Sequence, residues 1–500
     1  VALMGGNLLF AAEALHNDGP FDRPDDFRKF NGVLRYSRGD RANGWNITAM
    51  GYDGRWNATD QIPLRAVQDG SLGRFDAIDP TDGGNAYRYS LSGAWRRSTA
   101  AGATEVNAYV TRWNLQLWSN FTYFLDNPVD GDQFTQPDRR TLTAINIRHA
   151  WPTTLFGRDS ENRVGLQLQN DDIRNGLYST RARQTLSTTR RDDITETSAG
   201  LWFENATTWT NTFRTVAGVR LDQYRFDVTS DLPANSGKRN ASIANPKLAL
   251  VFGPFFEQTM KTEFYANAGG GFHSNDARGT VIRVDPKSGD PVDPVTALPR
   301  SKGVELGLRT EPVKGLQTAL SVYGLDFDSE LLFVGDAGTT EAGRPSRRVG
   351  FEIANFYRPN DWLTVDADIA FAKARFRDRA PEGRRVPGAV EGVATVALAL
   401  DNLGPWFGSL QYRLFGPRPL VEDNSLRSAN TATFNGRIGY KIGSRMRIEL
   451  EGFNLANRKA SAIDYAYTSR LKGEPAEGIA DIHFHPIESR SFRLTLNANF

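Results

Sequence analysis

The sequence predicts an all-β chain, a large antiparallel transmembrane β-barrel of the outer-membrane type, with about twenty strands in a single domain over residues 1–500. Three observations lead there. Segment after segment alternates apolar and polar residues with a period of two. The connections between these segments alternate short and long. The composition is also too polar for a water-shielded core: of 500 residues, 39% are hydrophobic and 24% charged. A barrel with a hydrated lumen needs apolar residues only on its outer face.

The alternation runs from one end to the other. The chain opens in a strand region, Leu8–His16, followed by a polar loop to Asp26. Asp26–Ser37 sets Phe30, Gly32, Leu34 and Tyr36 against Lys29, Asn31 and Arg35. Ala86–Arg96 sets Tyr87, Tyr89, Leu91, Gly93 and Trp95 against Arg88, Ser90, Ser92 and Arg96. In Lys302–Arg309, Val304, Leu306 and Leu308 oppose Glu305 and Arg309. In Trp362–Phe371, Leu363, Val365, Ala367, Ile369 and Phe371 oppose Asp366 and Asp368. In Thr433–Ile442, Phe434, Ile438, Tyr440 and Ile442 oppose Asn435, Arg437 and Lys441. The closing segment, Ser491–Phe500, puts Phe492, Leu494, Leu496, Ala498 and Phe500 opposite Arg493, Thr495, Asn497 and Asn499. Charges on so many second faces do not fit a dry core, but they fit a water-filled lumen. No apolar run approaches the roughly 18 residues of a spanning helix.

Short connections are read at 38–44, 98–103, 209–213, 311–315, 358–362, 402–406 and 443–445. Long ones are read at 57–85, 122–139, 230–240, 274–300, 335–346, 378–389, 417–430 and 458–490. In such barrels tight turns face the periplasm and long loops face outward. The closing strand, preceded by a long loop, is therefore expected to run from outside to periplasm. Trp151, Trp209, Trp362 and Trp406 lie at or beside short turns. They are expected in a periplasmic aromatic girdle, where an amphipathic ring sits at headgroup level.

Sixty basic and 58 acidic residues leave a net charge of +2, with no polybasic run, so nucleic acid is not an expected partner. There is no cysteine, hence no disulfide framework and no thiolate chemistry. Gly269-Gly270-Gly271 lacks the Lys-Ser/Thr ending of a phosphate loop. No serine sits in a nucleophile elbow. No enzyme and no cofactor are expected.

Five histidines occur, and three chemical groupings stand out. Asp481, His483 and His485 are spaced by two, so an extended segment would place all three on one face. Such a face can hold a divalent metal, or its members can hydrogen-bond within an ordered loop. His273 ends a glycine-rich strand beside Arg278, at a position that faces a ligand or packs the loop. Arginines recur in the long loops, among them Arg344, Arg347 and Arg418. Guanidinium forks suit an anionic ligand or lipopolysaccharide phosphates, and equally loop-pairing roles. Asp126, Asp130, Asp132 and Asp138 share one predicted loop, without calcium-loop spacing.

Several motifs look familiar together: Ala217-Gly218-Val219-Arg220-Leu221-Asp222, Glu263-Phe264-Tyr265-Ala266-Asn267, Lys302-Gly303-Val304-Glu305-Leu306, Gly452-Phe453-Asn454-Leu455 and the terminal Phe500. With them the chain resembles the β-barrel portion of TonB-dependent outer-membrane receptors over nearly its whole length. The resemblance implies 22 strands around an N-terminal plug, an outer-membrane location in a Gram-negative bacterium, and import of a scarce ligand such as a metal chelate. It implies contact with TonB through the plug segment, with outer-membrane lipid and lipopolysaccharide, and with the barrel assembly machinery, for which Phe500 resembles the terminal aromatic signal. Neither a plug nor a TonB-contacting segment is found in this sequence. The plug and a first hairpin are expected upstream of Val1. A plugless porin or substrate-selective passive channel is the alternative reading.

Overall fold

Period-two alternation resolves into one antiparallel sheet of 22 strands. The structure is a computed structural model and describes residues 1–256, 260–334 and 339–499. Two of the 22 strands are short, Ala2–Leu3 and Gly383–Arg385, which leaves twenty long ones. In chain order these are β1 (Gly6–Asn17), β2 (Phe27–Gly39), β3 (Gly44–Asn57), β4 (Gly83–Thr99), β5 (Gly102–Ser119), β6 (Phe134–Leu155), β7 (Arg158–Arg181), β8 (Gln184–Thr210), β9 (Phe213–Ser230) and β10 (Gly237–Phe255). They continue as β11 (Lys261–Phe272), β12 (Arg300–Val313), β13 (Leu316–Phe327), β14 (Ser346–Tyr357), β15 (Leu363–Ala380), β16 (Gly392–Leu403), β17 (Trp406–Phe415), β18 (Thr431–Ile442), β19 (Met446–Phe453) and β20 (Ser491–Ala498). Each pairs with its chain neighbours. Among the described residues, β20 pairs with β19 alone.

The apolar faces point outward. On β20, Phe492, Leu494 and Leu496 are 62–69% exposed, and they stand beside Gly452, Leu450 and Ile448 of β19. Left in water, each such side chain would forfeit about 1.5–3 kcal/mol. In hydrocarbon that cost disappears. The polar faces point inward and pair with one another. Glu449 gathers Arg437 (3.4 Å), Arg447 (2.7 Å) and Asn497 (3.1 Å). Glu204 does the same for Arg163 (2.6 Å) and Lys247. No helix among the described residues is long and apolar enough to cross a membrane.

The short turns gather at one end and the long connections at the other, as the alternation predicts. Three boundaries differ. β6 begins at Phe134, so Asp138 lies on a strand and not in the loop with Asp126, Asp130 and Asp132. Asp132 accepts hydrogen bonds from Thr122 Oγ1 and from the backbone N–H groups of Leu125, Asp126 and Asn127, so its charge is already compensated by donors. The 230–240 connection shrinks to 231–236, because the strands on either side run on. Finally, β7 and β8 run on to meet at an Ala182-Arg183 turn, a connection that the sequence reading did not mark.

The facing of β20 can be tested. Leu494→Arg puts a charge on the outer face mid-strand and is expected to cost about 2–4 kcal/mol in a bilayer. Thr495→Ala, on the inner face, is expected to change stability by less than about 1 kcal/mol. Unfolding in lipid vesicles, followed by tryptophan fluorescence, measures both.

Candidate ligand site at the long-loop end

Most of the long connections fold back over the mouth of the sheet. Loop 58–82 carries helix α1 (Leu64–Gln68) and lies against a hairpin built from Ser461–Ser469 and Ile479–Pro486. Arg65 ties them together. Its side chain donates to Glu474 (2.8 Å) and to the Ser469 carbonyl (3.2 Å), and its backbone N–H donates to Asp481 (2.7 Å). Asp481, His483 and His485 do alternate along one strand, but that face is packed. His483 is fully buried, stacked on Tyr467 at 3.7 Å, with Nε2 2.7 Å from Ser469 Oγ and Nδ1 3.1 Å from the Asp481 carbonyl. Burial pushes its pKa down to about 4, against the opposing pull of Asp481. His485 packs on Phe21, ring centroids 4.9 Å apart. A metal at His483 would have to displace both of its partners. Among the described residues, the His/Asp group whose ligand atoms converge is instead His16, Asp18 and Asp26, at the end of β1 and in the loop that follows. There Arg28 already donates to Asp26 at 2.9 Å, and we assign no metal to it.

A second set of polar groups lines the upper lumen. Helix α2 (Ala277–Val281), in loop 273–299, packs Ala277 and Val281 on the inner faces of Ile173, Ile194, Phe226, Val228 and Ile243. Residues sharing those inner faces carry polar atoms without a partner: Asp171 Oδ1 and Asn175 Oδ1 on β7, Arg190 Nη1 on β8, and both amide atoms of Asn245 on β10. His273 Nε2, just beyond β11, is another. An unmade hydrogen bond on a buried group costs about 1–3 kcal/mol, so these groups are candidates to take water or a ligand. Ion pairs frame the place: Arg190–Asp192 (2.5 Å), Arg140–Asp138 (2.6 Å) and Arg278–Asp276 (2.6 Å). Burial alone would raise the Asp276 carboxyl, but Arg278 and Arg190 more than offset it and hold it below the usual range.

Two expected site residues, His273 and Arg278, fall in this region. The others do not join them. Arg344 binds Asp378 (2.8 Å) and Glu422 and stacks on Phe376 at 4.2 Å, so it ties its own loop to the end of β15 and to the loop after β17. Arg418 is buried against Asp464 at 3.2 Å. Arg347 lies on the outer wall beside Asp326 (2.6 Å). Trp151, Trp209, Trp362 and Trp406 stand at the short-turn end. Phe500 lies outside the described residues. Sequence reasoning missed Asp171, Asn175, Arg190 and Asn245. Their one signal was polar character at inward positions where the outward positions, Thr143, Asn170 and Thr197, have themselves turned polar.

A buried acidic pair holds the loop crown. Asp60 and Asp82 share a hydrogen bond beside Asp79, and Asn120 and Gln133 donate to the group. Burial first, and then the neighbouring carboxylates, raise both pKa values. The folded state therefore holds protons that the unfolded chain sheds near pH 4. Its stability is complete below that value and falls as pH rises through the folded pKa values. Corrected for the intrinsic amide rate, hydrogen-exchange protection in residues 57–83 is expected to fall as pH rises from about 4 through about 6 and on toward about 10, and Asp82→Asn to flatten that response.

Comparison with known proteins agrees with this architecture. A family model described as TonB dependent receptor-like, beta-barrel matches residues 15–455. No curated protein sequence matches the chain. Among solved structures, the ferric yersiniabactin uptake receptor FyuA from Yersinia pestis is 15% identical, covers 100% of this chain and 76% of its own, and has a TM-score of 0.77. The ferric citrate transporter FecA, in its unliganded form, is 14% identical, with 100% and 74% covered and a TM-score of 0.79. The siderophore receptor PiuA from Acinetobacter baumannii is 10% identical, with 99% and 77% covered and a TM-score of 0.77. At these identities the structures speak for the fold alone, whereas the family model spans most of the chain: this protein belongs to the TonB-dependent receptor β-barrel family.

Proposed function

We propose that the chain is the barrel of a Gram-negative outer-membrane transporter that binds a metal chelate at its extracellular, long-loop end and passes it to the periplasm. The observation that carries the reading is the set of unpartnered polar atoms on the inner faces of β7, β8 and β10 and at His273, on the wall that α2 packs against. The ion pairs Arg190–Asp192, Arg140–Asp138 and Arg278–Asp276 supply groups of both signs there. That suits a ligand rich in oxygen donors and acceptors, as ferric chelates are. FyuA, FecA and PiuA carry ferric-chelate or siderophore roles in their names, which supports the class and leaves the particular ligand open.

On this reading the barrel makes no bonds. Its loops and upper wall capture the ligand, a plug outside this sequence closes the lumen, and TonB acts on the plug. The four tryptophans at the short-turn end would sit at the periplasmic headgroups.

Uptake of ⁵⁵Fe as ferric citrate, a ferric catecholate and a ferric hydroxamate, in cells with and without TonB, tests the function. One chelate is expected to enter only with TonB. A large, stable conductance of the purified native protein in planar bilayers would favour the passive channel instead. Asn245→Leu combined with His273→Ala is expected to weaken binding of the transported chelate at least about tenfold, ~1.4 kcal/mol. Unchanged affinity would remove the upper lumen from the proposal.

A further inference from the structure

We infer that the upper edge of β10 docks an extended, acidic polypeptide segment, which adds to the sheet as a further strand. The inference goes beyond chelate uptake and uses a surface that the lumen site does not.

Register exposes the edge. β9 pairs with β10 from Val228 opposite Gly237 to Phe213 opposite Phe252. β11 pairs with β10 only between Lys247 and Phe255. Above that point β11 stays with β12 as far as Phe272, opposite Arg300. The chain then turns inward, and α2 packs on the inner side against Ile243. Residues 237–246 of β10 are left with a neighbouring strand on one side alone. Pro246 stands at the fork, where its missing N–H leaves no donor unpaired.

The parity of the ladder fixes which groups are open. Backbone groups of successive strand residues point to opposite neighbours. The Gly253 N–H donates to the Thr212 carbonyl, at the foot of β9. The Ala244 carbonyl accepts from Arg300 Nη1 (3.1 Å), on the β12 side. Odd residues of β10 therefore face β9, and Lys238, Asn240, Ser242 and Ala244 face the open edge. Among the described residues, the Arg300 contact is the one hydrogen bond to the backbone of these four on that side. All four are exposed, and the last three have short side chains that leave the backbone accessible. Lys238, which would guard such an edge, is drawn onto Asp227 of β9 at 2.8 Å.

The edge lies above hydrocarbon. Below the fork the outward side chains of β10 are apolar, with Leu248 44% and Phe252 40% exposed. Above it they are Lys238, Asn240, Ser242 and Ala244. An open ladder is not tolerated in hydrocarbon, whereas in water it is a template for another strand. From Lys238 to Ala244 it spans ~20 Å, the reach of about seven extended residues.

Charge selects the occupant. Arg225 of β9 stands opposite Asn240 and shares its outer face, Arg239 takes the inner face, and Arg300 closes the foot. All three are exposed, and among the described residues no carboxylate stands within ion-pair distance of any of them. The carboxylates of β9 beside the edge, Asp222 and Asp227, are held by Arg220 (2.7 Å) and Lys238 (2.8 Å). A strand laid against β10 presents its side chains to the two faces in turn, so carboxylates on either face meet a guanidinium. At the foot, a hollow of about 580 Å³ beside Leu221, Gln223, Ser242 and Ala244 accepts an apolar side chain. Main-chain hydrogen bonds supply affinity in this mode, and the flanking charges supply the choice of partner.

The test uses the full-length protein in nanodiscs and a labelled octapeptide of alternating valine and glutamate, followed by fluorescence anisotropy. The wild type is expected to bind it, and to bind the valine–lysine peptide and the fully N-methylated valine–glutamate peptide at least about tenfold more weakly. Ser242→Pro removes an edge N–H and none from the β9 ladder, and is expected to weaken binding about tenfold. Arg225→Glu/Arg239→Glu is expected to reverse the preference toward the lysine peptide. Residue-resolved hydrogen exchange reads the edge itself. The amides of Lys238, Asn240, Ser242 and Ala244 are expected to exchange freely without peptide and at least about tenfold more slowly with it, while those of Arg239, Ala241 and Ile243 stay protected throughout. Protection of the four even amides in the free protein overturns the inference, as does equal binding of the glutamate and N-methylated peptides, or no binding of the glutamate peptide below about 1 mM. Heat-dependent gel mobility checks that each variant forms a barrel. No readout here needs TonB or a chelate, so a failure is distinct from a failure of chelate uptake.

Discussion

Inter-strand hydrogen bonding between backbone amides and carbonyls is the constraint on which this molecule depends. Hydrocarbon offers no partner for an unpaired N–H or C=O, so a chain that crosses it must supply its own. Antiparallel pairing from β1 to β20 does so with tight turns at one end. The ladder then dictates what side chains can do. Successive residues point to opposite faces, so every strand must satisfy lipid on one side and water on the other. The inward carboxylates Glu204 and Glu449 each gather two cations, which keeps charge on the wall without leaving it unpaired.

The same demand for partners shapes the mouth. Where the outward face turns polar, strands and loops leave the apolar belt and bind one another. Arg65 joins α1 to the 461–486 hairpin, Arg344 ties its own loop to the end of β15 and to the loop after β17, and Asp60 and Asp82 share a proton beneath them. These contacts join separate segments, in the case of Arg65 and Glu474 409 positions apart, and so most of the conspicuous charges of the loops are spent on holding the crown. What remains without partners lies deeper, where α2 seals the inner faces of β7–β10.

The outer wall follows a parallel logic. Register places Lys302, Arg347 and Arg375 in one row although they are far apart in sequence. The row exists in no single strand. It arises when four strands are laid side by side, and a one-residue slip in β12, β14 or β15 would turn its cation inward.

The sequence by itself determined the strands, their two faces and the ends at which they turn, because period two is a local property and is read within a few residues. It placed β20 correctly and gathered the tryptophans at the short turns. It also put Asp481, His483 and His485 on one face. Only the tertiary structure decided what that face meets: Ser469, Tyr467 and Arg65, brought there by hairpin pairing and by a loop some four hundred residues away. It likewise decided that Arg344 and Arg418 are held by carboxylates, that Arg347 looks outward, and that Asn245 and Arg190 keep free hydrogen-bonding atoms. The physical reason is that facing depends on a residue and its immediate neighbours, whereas partnership depends on which distant segment folds over it.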